Sequence, residues 1–158
     1  MLGKLFANKW LYIAVAIGVL ILMTKKISDL VSPAVAAAVN RFALAIQNAE
    51  GWFEGSWSYR TNNPGNITDM GRPGQIGTET NPKSGITFPV FDSYESGFAA
   101  LVWKLKRAFT GLSTVYSPTM TISEFFEKYS HDQNEAENVS SLLGVSSDTK
   151  LSDLIEGA

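Results

Sequence analysis

The sequence predicts a mainly α fold of the α+β kind, with a small hairpin or loop region, preceded by one N-terminal transmembrane helix. Three observations carry this reading. Residues 5–23 form an apolar run interrupted only by Asn8 and Lys9. Later segments repeat apolar residues every three or four positions and are bounded by capping residues or glycine. Between them, residues 69–91 are rich in glycine, threonine and proline, the composition of turns and short strands. The expected organisation is a membrane anchor and juxtamembrane segment at 1–31 and one domain at 32–158. After the anchor about 125 residues remain, enough for a single core.

The 19 positions of residues 5–23 reach roughly 28 Å as a helix, close to the hydrocarbon thickness of a bilayer. Lysines at both ends can snorkel, and Trp10 and Tyr12 suit a membrane interface. A signal peptide and a buried helix are the competing readings. Lys25 and Lys26 follow the apolar core directly, and the small residues at 34–38 come too late for a cleavage region. A buried helix is not usually apolar on every side. The anchor is preferred, and the near balance of flanking lysines leaves its orientation open.

Ser32-Pro33 reads as an N-cap with proline at the first helical position, and Val35, Val39, Phe42, Ile46 and Ala49 mark one buried face. The pattern stops at Gly51, which puts Glu50 in the last turn. Residues 75–78 and 86–91 are candidates for a small hairpin or an ordered loop. Residues 92–95 read as a capping box opening a helix with Phe98, Leu101, Val102, Leu105 and Phe109 inside, ended by Gly111. Lys104, Lys106 and Arg107 fall on its solvated side, while Trp103 is expected in the core. A second capping box at 121–124 leads to Phe125, Phe126 and Tyr129, and shorter helices follow at about residues 135–143 and 149–155.

The chemistry concentrates at Glu50 and the loop Arg60-Thr61-Asn62-Asn63-Pro64-Gly65-Asn66. A carboxyl at a helix C-terminus feels the negative end of the dipole, and Trp52 and Phe53 are placed to strip it of water. Both effects favour a protonated acid able to give its proton to a glycosidic oxygen. Proline, glycine and asparagine together make a rigid turn, and three asparagines beside an arginine offer donors and acceptors for sugar hydroxyls. Trp52, Trp57 and Tyr59 add flat faces for pyranose rings, with core packing as the competing reading. The candidate binding set is Trp52, Trp57, Tyr59, Arg60, Asn62, Asn63 and Asn66.

Residues 45–52 (AIQNAEGW), Gly55-Ser56 and residues 60–67 resemble the lysozyme-like proteins of many phages and prophages, in which Ile-Ala-x-x-Glu-Gly precedes Arg-Asn-Asn-Asn-Pro-Gly-Asn. These are distant relatives of lytic transglycosylases and goose-type lysozymes. The similarity continues at residues 88–91, 95–101 and 129–154. The resemblance implies a lysozyme-like domain, peptidoglycan glycan strands as substrate and Glu50 as the catalytic acid. It further implies a virion-associated protein, used to penetrate the host wall alongside other virion membrane or capsid proteins, or a prophage-derived enzyme of the bacterial inner membrane. Thr61 departs from the family pattern, where the first asparagine usually stands. Glu54 lies in a variable spacer and receives no role.

Glycosidases usually need two carboxylates. Glu50 alone has motif support, and Asp69 is the candidate second carboxylate. A lytic transglycosylase needs a single acid, because the sugar's own 6-hydroxyl closes on the anomeric carbon. It is therefore preferred over a lysozyme-type hydrolase. An inactive glycan-binding virion protein is the reading from another class.

Composition narrows the rest. Lys4, Lys9, Lys25 and Lys26 lie upstream, leaving nine of the 13 basic residues against 14 of the 15 acidic ones, Asp29 also being upstream. The resulting net charge near −5 disfavours nucleic acid as a partner. The chain has no cysteine and one histidine, His131, in a polar stretch, so neither a thiolate nor a histidine-cluster metal site is expected, and no cofactor.

Overall fold

The computed structural model describes residues 32–157. The apolar run at 5–23, and with it the anchor, lies outside the described residues. Among those residues no helix is long and apolar enough to cross a membrane. The chain divides after Pro33, and the unit from Ala34 onward is the one whose architecture follows.

It is a mixed helical fold with one small antiparallel sheet. The order is α1 (Pro33–Ala49), α2 (Trp57–Arg60), β1 (Gln75–Thr80), β2 (Thr87–Phe91), α3 (Tyr94–Phe109), α4 (Ile122–Tyr129), α5 (Gln133–Leu143) and α6 (Asp153–Glu156). The apolar spacing of α1 buries Val35, Ala38, Val39, Phe42, Ala43, Ala45 and Ile46. Phe42 is its anchor: its ring lies 5.6 Å from Phe109 of α3 and 5.5 Å from Phe125 of α4. Burying one such ring contributes on the order of 2–3 kcal/mol.

The caps explain where the helices start. Thr121 and Glu124 form a reciprocal capping box at the head of α4. At α3 the cap is Ser93, whose hydroxyl accepts from the Ser96 N–H. The capping box expected at 92–95 does not form, since the Asp92 N–H it would use is taken by the Gly74 carbonyl. Asp132 caps α5, and Gly144 at φ 72° ends it in the left-handed region. The expected helix at 149–155 shrinks to α6. Lys150 instead bridges Thr121, and the Leu151 and Ser152 amides bond the Met120 and Pro118 carbonyls. The Arg41 guanidinium donates to the Leu154 carbonyl at 3.0 Å, tying this end to α1.

The hairpin β1–β2 packs through one strand. Phe88, Pro89 and Phe91 of β2 are buried, whereas β1 is almost wholly exposed. The register slips between Gln75 and Gly77, and the intervening Ile76 is 70% exposed.

Candidate active site

The helical path of α1 runs one residue past its end. The Glu50 N–H still reaches the Ile46 carbonyl at 2.8 Å, after which Gly51 turns the chain at φ 70°. The Gly51 and Trp52 amides return to the Asn48 and Gln47 carbonyls, both at 3.2 Å. This is the paired closure that a left-handed glycine permits. It fixes where the Glu50 side chain leaves the helix.

Residues 61–67 are held rigidly against β2 and α3. Asn62 and Asn66 both adopt positive φ, 49° and 44°. The Asn62 amide donates to the Phe91 carbonyl at 3.0 Å, and the Phe91 N–H donates to the Thr61 carbonyl at 2.9 Å. Asn63 is fully buried. It donates to the Ile67 carbonyl at 2.9 Å and accepts from the Ile67 N–H at 3.0 Å. Gly97 of α3 permits the approach, since a Cβ there would lie 1.7 Å from the Asn62 carbonyl oxygen.

One asparagine is left for chemistry. Asn66 donates its side-chain N–H to Glu50 Oε2 at 2.5 Å, while its own Oδ1 is buried without a partner. Glu135, in the first turn of α5, lies within hydrogen-bonding reach of Glu50. Its Oε1 is buried, and Ser130 is the other group bonded to its carboxyl. Burial is the main cause that raises Glu50 from 4.5 to about 8, with the neighbouring Glu135 charge second and Asp132 adding a little. The Asn66 bond works against the rise because it favours the ionised form. Burial also raises Glu135, but hydrogen bonds from Ser130 and Glu50 pull it back. Glu50 is thus the proton holder and Glu135 the acceptor. Phe53, expected to shield Glu50 from water, is itself 64% exposed.

Tyr129, at the end of α4, closes the site from below the loop. Its hydroxyl donates to the Gly65 carbonyl. Burial pushes its phenol well above the ordinary range, and the nearby Glu50 and Glu135 charges push the same way. Tyr129 therefore stays neutral and can only donate or accept hydrogen bonds.

The remaining residues of the expected set fall into three groups. Trp52 and Tyr59 stand together, ring centroids 5.2 Å apart, and Tyr94 joins them 5.1 Å from Trp52. This partly open aromatic surface follows Glu50 directly. Trp57 packs on Phe88, and Arg60 lies over its indole while pairing with Glu79 at 2.5 Å. Asn62 and Asn63 spend their amides on β2 and the Ile67 carbonyl, which gives both a structural task. Asp69, the expected second carboxylate, is held by Lys104 at 2.6 Å, and the carboxyl facing Glu50 is Glu135.

Glu135 and Tyr129 were not distinguishable in the sequence from a surface acid and a core aromatic. Their signal is spatial, supplied by the tight turn at His131, whose φ is 59°. Among the described residues no acidic or histidine cluster is arranged to hold a metal. No family model, curated protein or solved structure matches this chain.

Proposed function

We propose that this protein is a membrane-anchored peptidoglycan lytic transglycosylase with a lysozyme-like domain, cutting the MurNAc–GlcNAc bond with Glu50 as its one acid. The observation that carries the reading is the Glu50–Glu135 carboxyl pair. Each of the two carboxyls makes ionisation of the other more costly, so the pair holds a proton that an isolated carboxylate would have lost. Retaining glycosidases hold theirs about 5–5.5 Å apart, and inverting ones about 6.5–9.5 Å. Glu135, hydrogen-bonded to Glu50 itself, is read as the partner of the acid and not as a separately placed nucleophile or water-positioning base. Its effect is to keep a proton on Glu50.

Glu50 then gives that proton to the leaving glycosidic oxygen and becomes a carboxylate, which the Asn66 amide stabilises. The anomeric carbon is attacked by the substrate's own 6-hydroxyl, whose proton returns to Glu50. The acid is restored and no water is consumed. Trp52, Tyr59 and Tyr94 offer the apolar faces on which the flanking sugars rest. The phage-like motifs around Glu50 support a virion setting in which the domain faces the cell wall.

The test is mass spectrometry of peptidoglycan incubated with the full chain in mild detergent, beside its Glu50→Gln variant. The expected result is 1,6-anhydro muropeptides from the parent and at least ~10³-fold fewer from the variant, since the amide keeps the shape and lacks the proton. Reducing-end products would reassign the protein as a hydrolase. Intact strands recovered with bound protein would favour a glycan-binding virion component.

A further inference from the structure

Trp103 was expected inside the core, yet it is 40% exposed and lines two adjoining concavities of about 240 and 290 Å³. Two guanidinium groups flank its ring, Arg72 at 3.9 Å and Arg107 at 5.0 Å from the centroid. Neither has an acidic partner: the ion pairs among the described residues are Arg60–Glu79 and Lys104–Asp69. Arg72 Nε is buried without a hydrogen-bond partner. Arg107 also donates to the Leu112 carbonyl at 2.6 Å, but two guanidinium groups without a counter-charge on one indole repel each other, and a carboxylate is the anion their planar forks fit best. In a domain of net charge near −5 this local excess of cations stands out.

The position of the cluster identifies its occupant. Lys104 lies in the same wall, with its Nζ 5.3 Å from the centre of the Tyr129 ring, and Tyr129 supports the loop that carries Asn66 to Glu50. The concavity therefore begins one tyrosine away from the acid. A glycan strand seated for cleavage brings there whatever hangs from its sugars. On peptidoglycan that substituent is a short peptide with free carboxylates and small apolar side chains.

We propose that the Arg72–Trp103–Arg107 cluster binds the carboxylates of the peptide stem, so that the enzyme prefers stem-bearing strands to bare glycan. The Trp103 face receives the apolar part of the stem, and the Lys104–Asp69 pair offers a donor and an acceptor to its amides. This inference rests on the peptidoglycan reading above.

The test compares cleavage by the full chain of sacculi with intact stems and the same sacculi stripped by an amidase, for the parent and for Arg72→Gln/Arg107→Gln. The parent should show a KM about tenfold lower on stem-bearing strands, a difference that two charge-assisted contacts can supply. The double variant should lose that difference while matching the parent on stripped glycan, which also reports that it is folded. Equal KM values for the parent on both substrates would overturn the inference and leave the activity standing. Equal slowing of the variant on both substrates would also overturn it, by showing a structural role for the arginines. Failure of the parent to cut either substrate would overturn the peptidoglycan reading, and this inference with it.

Discussion

Glu50 carries its perturbation as a testable property whatever the substrate. A carboxyl whose folded pKa lies above its unfolded value binds more protons folded than unfolded between the two. Stability is then greatest below the unfolded value and falls as pH rises toward the folded one. For Glu50 that window runs from 4.5 to about 8. The slope is about 1.4 kcal/mol per pH unit while the difference in bound protons is near one. Chemical denaturation at a series of pH values should show the parent losing stability across the window and Glu50→Gln losing much less. Glu135→Gln removes the second cause of the shift, so the fall should end at a lower pH. Parallel curves for all three proteins would mean that Glu50 titrates as an ordinary surface acid. Asn66 sets the balance in the other direction, because its amide keeps the ionised form from becoming too costly once the proton has left.

The loop at 61–67 and α3 act as one clamp, and the contact depends on the absence of a side chain at Gly97. An added Cβ would strike the Asn62 carbonyl oxygen at 1.7 Å, and that backbone is already fixed by β2. Gly97→Ala should therefore cost at least about 3 kcal/mol, beyond the usual range for overpacking, because the obstacle is backbone and cannot rotate away. A melting curve of the variant checks it, and a change below 1 °C would show that the loop yields freely. The same clamp shows what could be read in advance. The end of α1, the turn at Gly51 and the asparagine loop are contiguous in sequence and governed by local φ preferences, so Glu50 and its rigid neighbour were legible. Which asparagine faces the acid was not, because that depends on β2 and the Ile67 carbonyl consuming the amides of Asn62 and Asn63. Glu135 was hidden for the same reason. In sequence it is an acid in a helix's first turn, favourable there through the dipole alone. Trp103 was misplaced because apolar periodicity does not distinguish an indole in the core from one flanked by guanidinium groups.

At the scale of the whole molecule, the proposed function has an acidic unit working between two anionic surfaces, the lipid headgroups and the wall. With a net charge near −5 from Pro33 onward, the unit gains nothing from the field of an anionic leaflet. Any firm attachment to the bilayer must then come from residues 5–23, whose apolar length matches a bilayer core at roughly 28 Å. This separates a spanning helix from electrostatic adsorption. At alkaline pH lysines lose their charge and peripheral contacts release, whereas a buried apolar helix stays in the hydrocarbon. Carbonate extraction of membranes carrying the full chain should leave it in the pellet, and a chain starting at residue 33 should appear in the supernatant. Release of the intact full chain would remove the spanning helix. Retention of the shortened chain would instead place the membrane contact on residues 33–158, where exposed Phe53, Ile76 and Leu142 would be the first residues to replace. If the expected result holds, residues 24–32 become the tether whose length sets how far from the bilayer Glu50 can meet a strand, since nine residues reach at most about 30 Å when extended. Lengthening that tether should then raise cleavage of wall lying farther from the membrane without changing the rate on strands in solution.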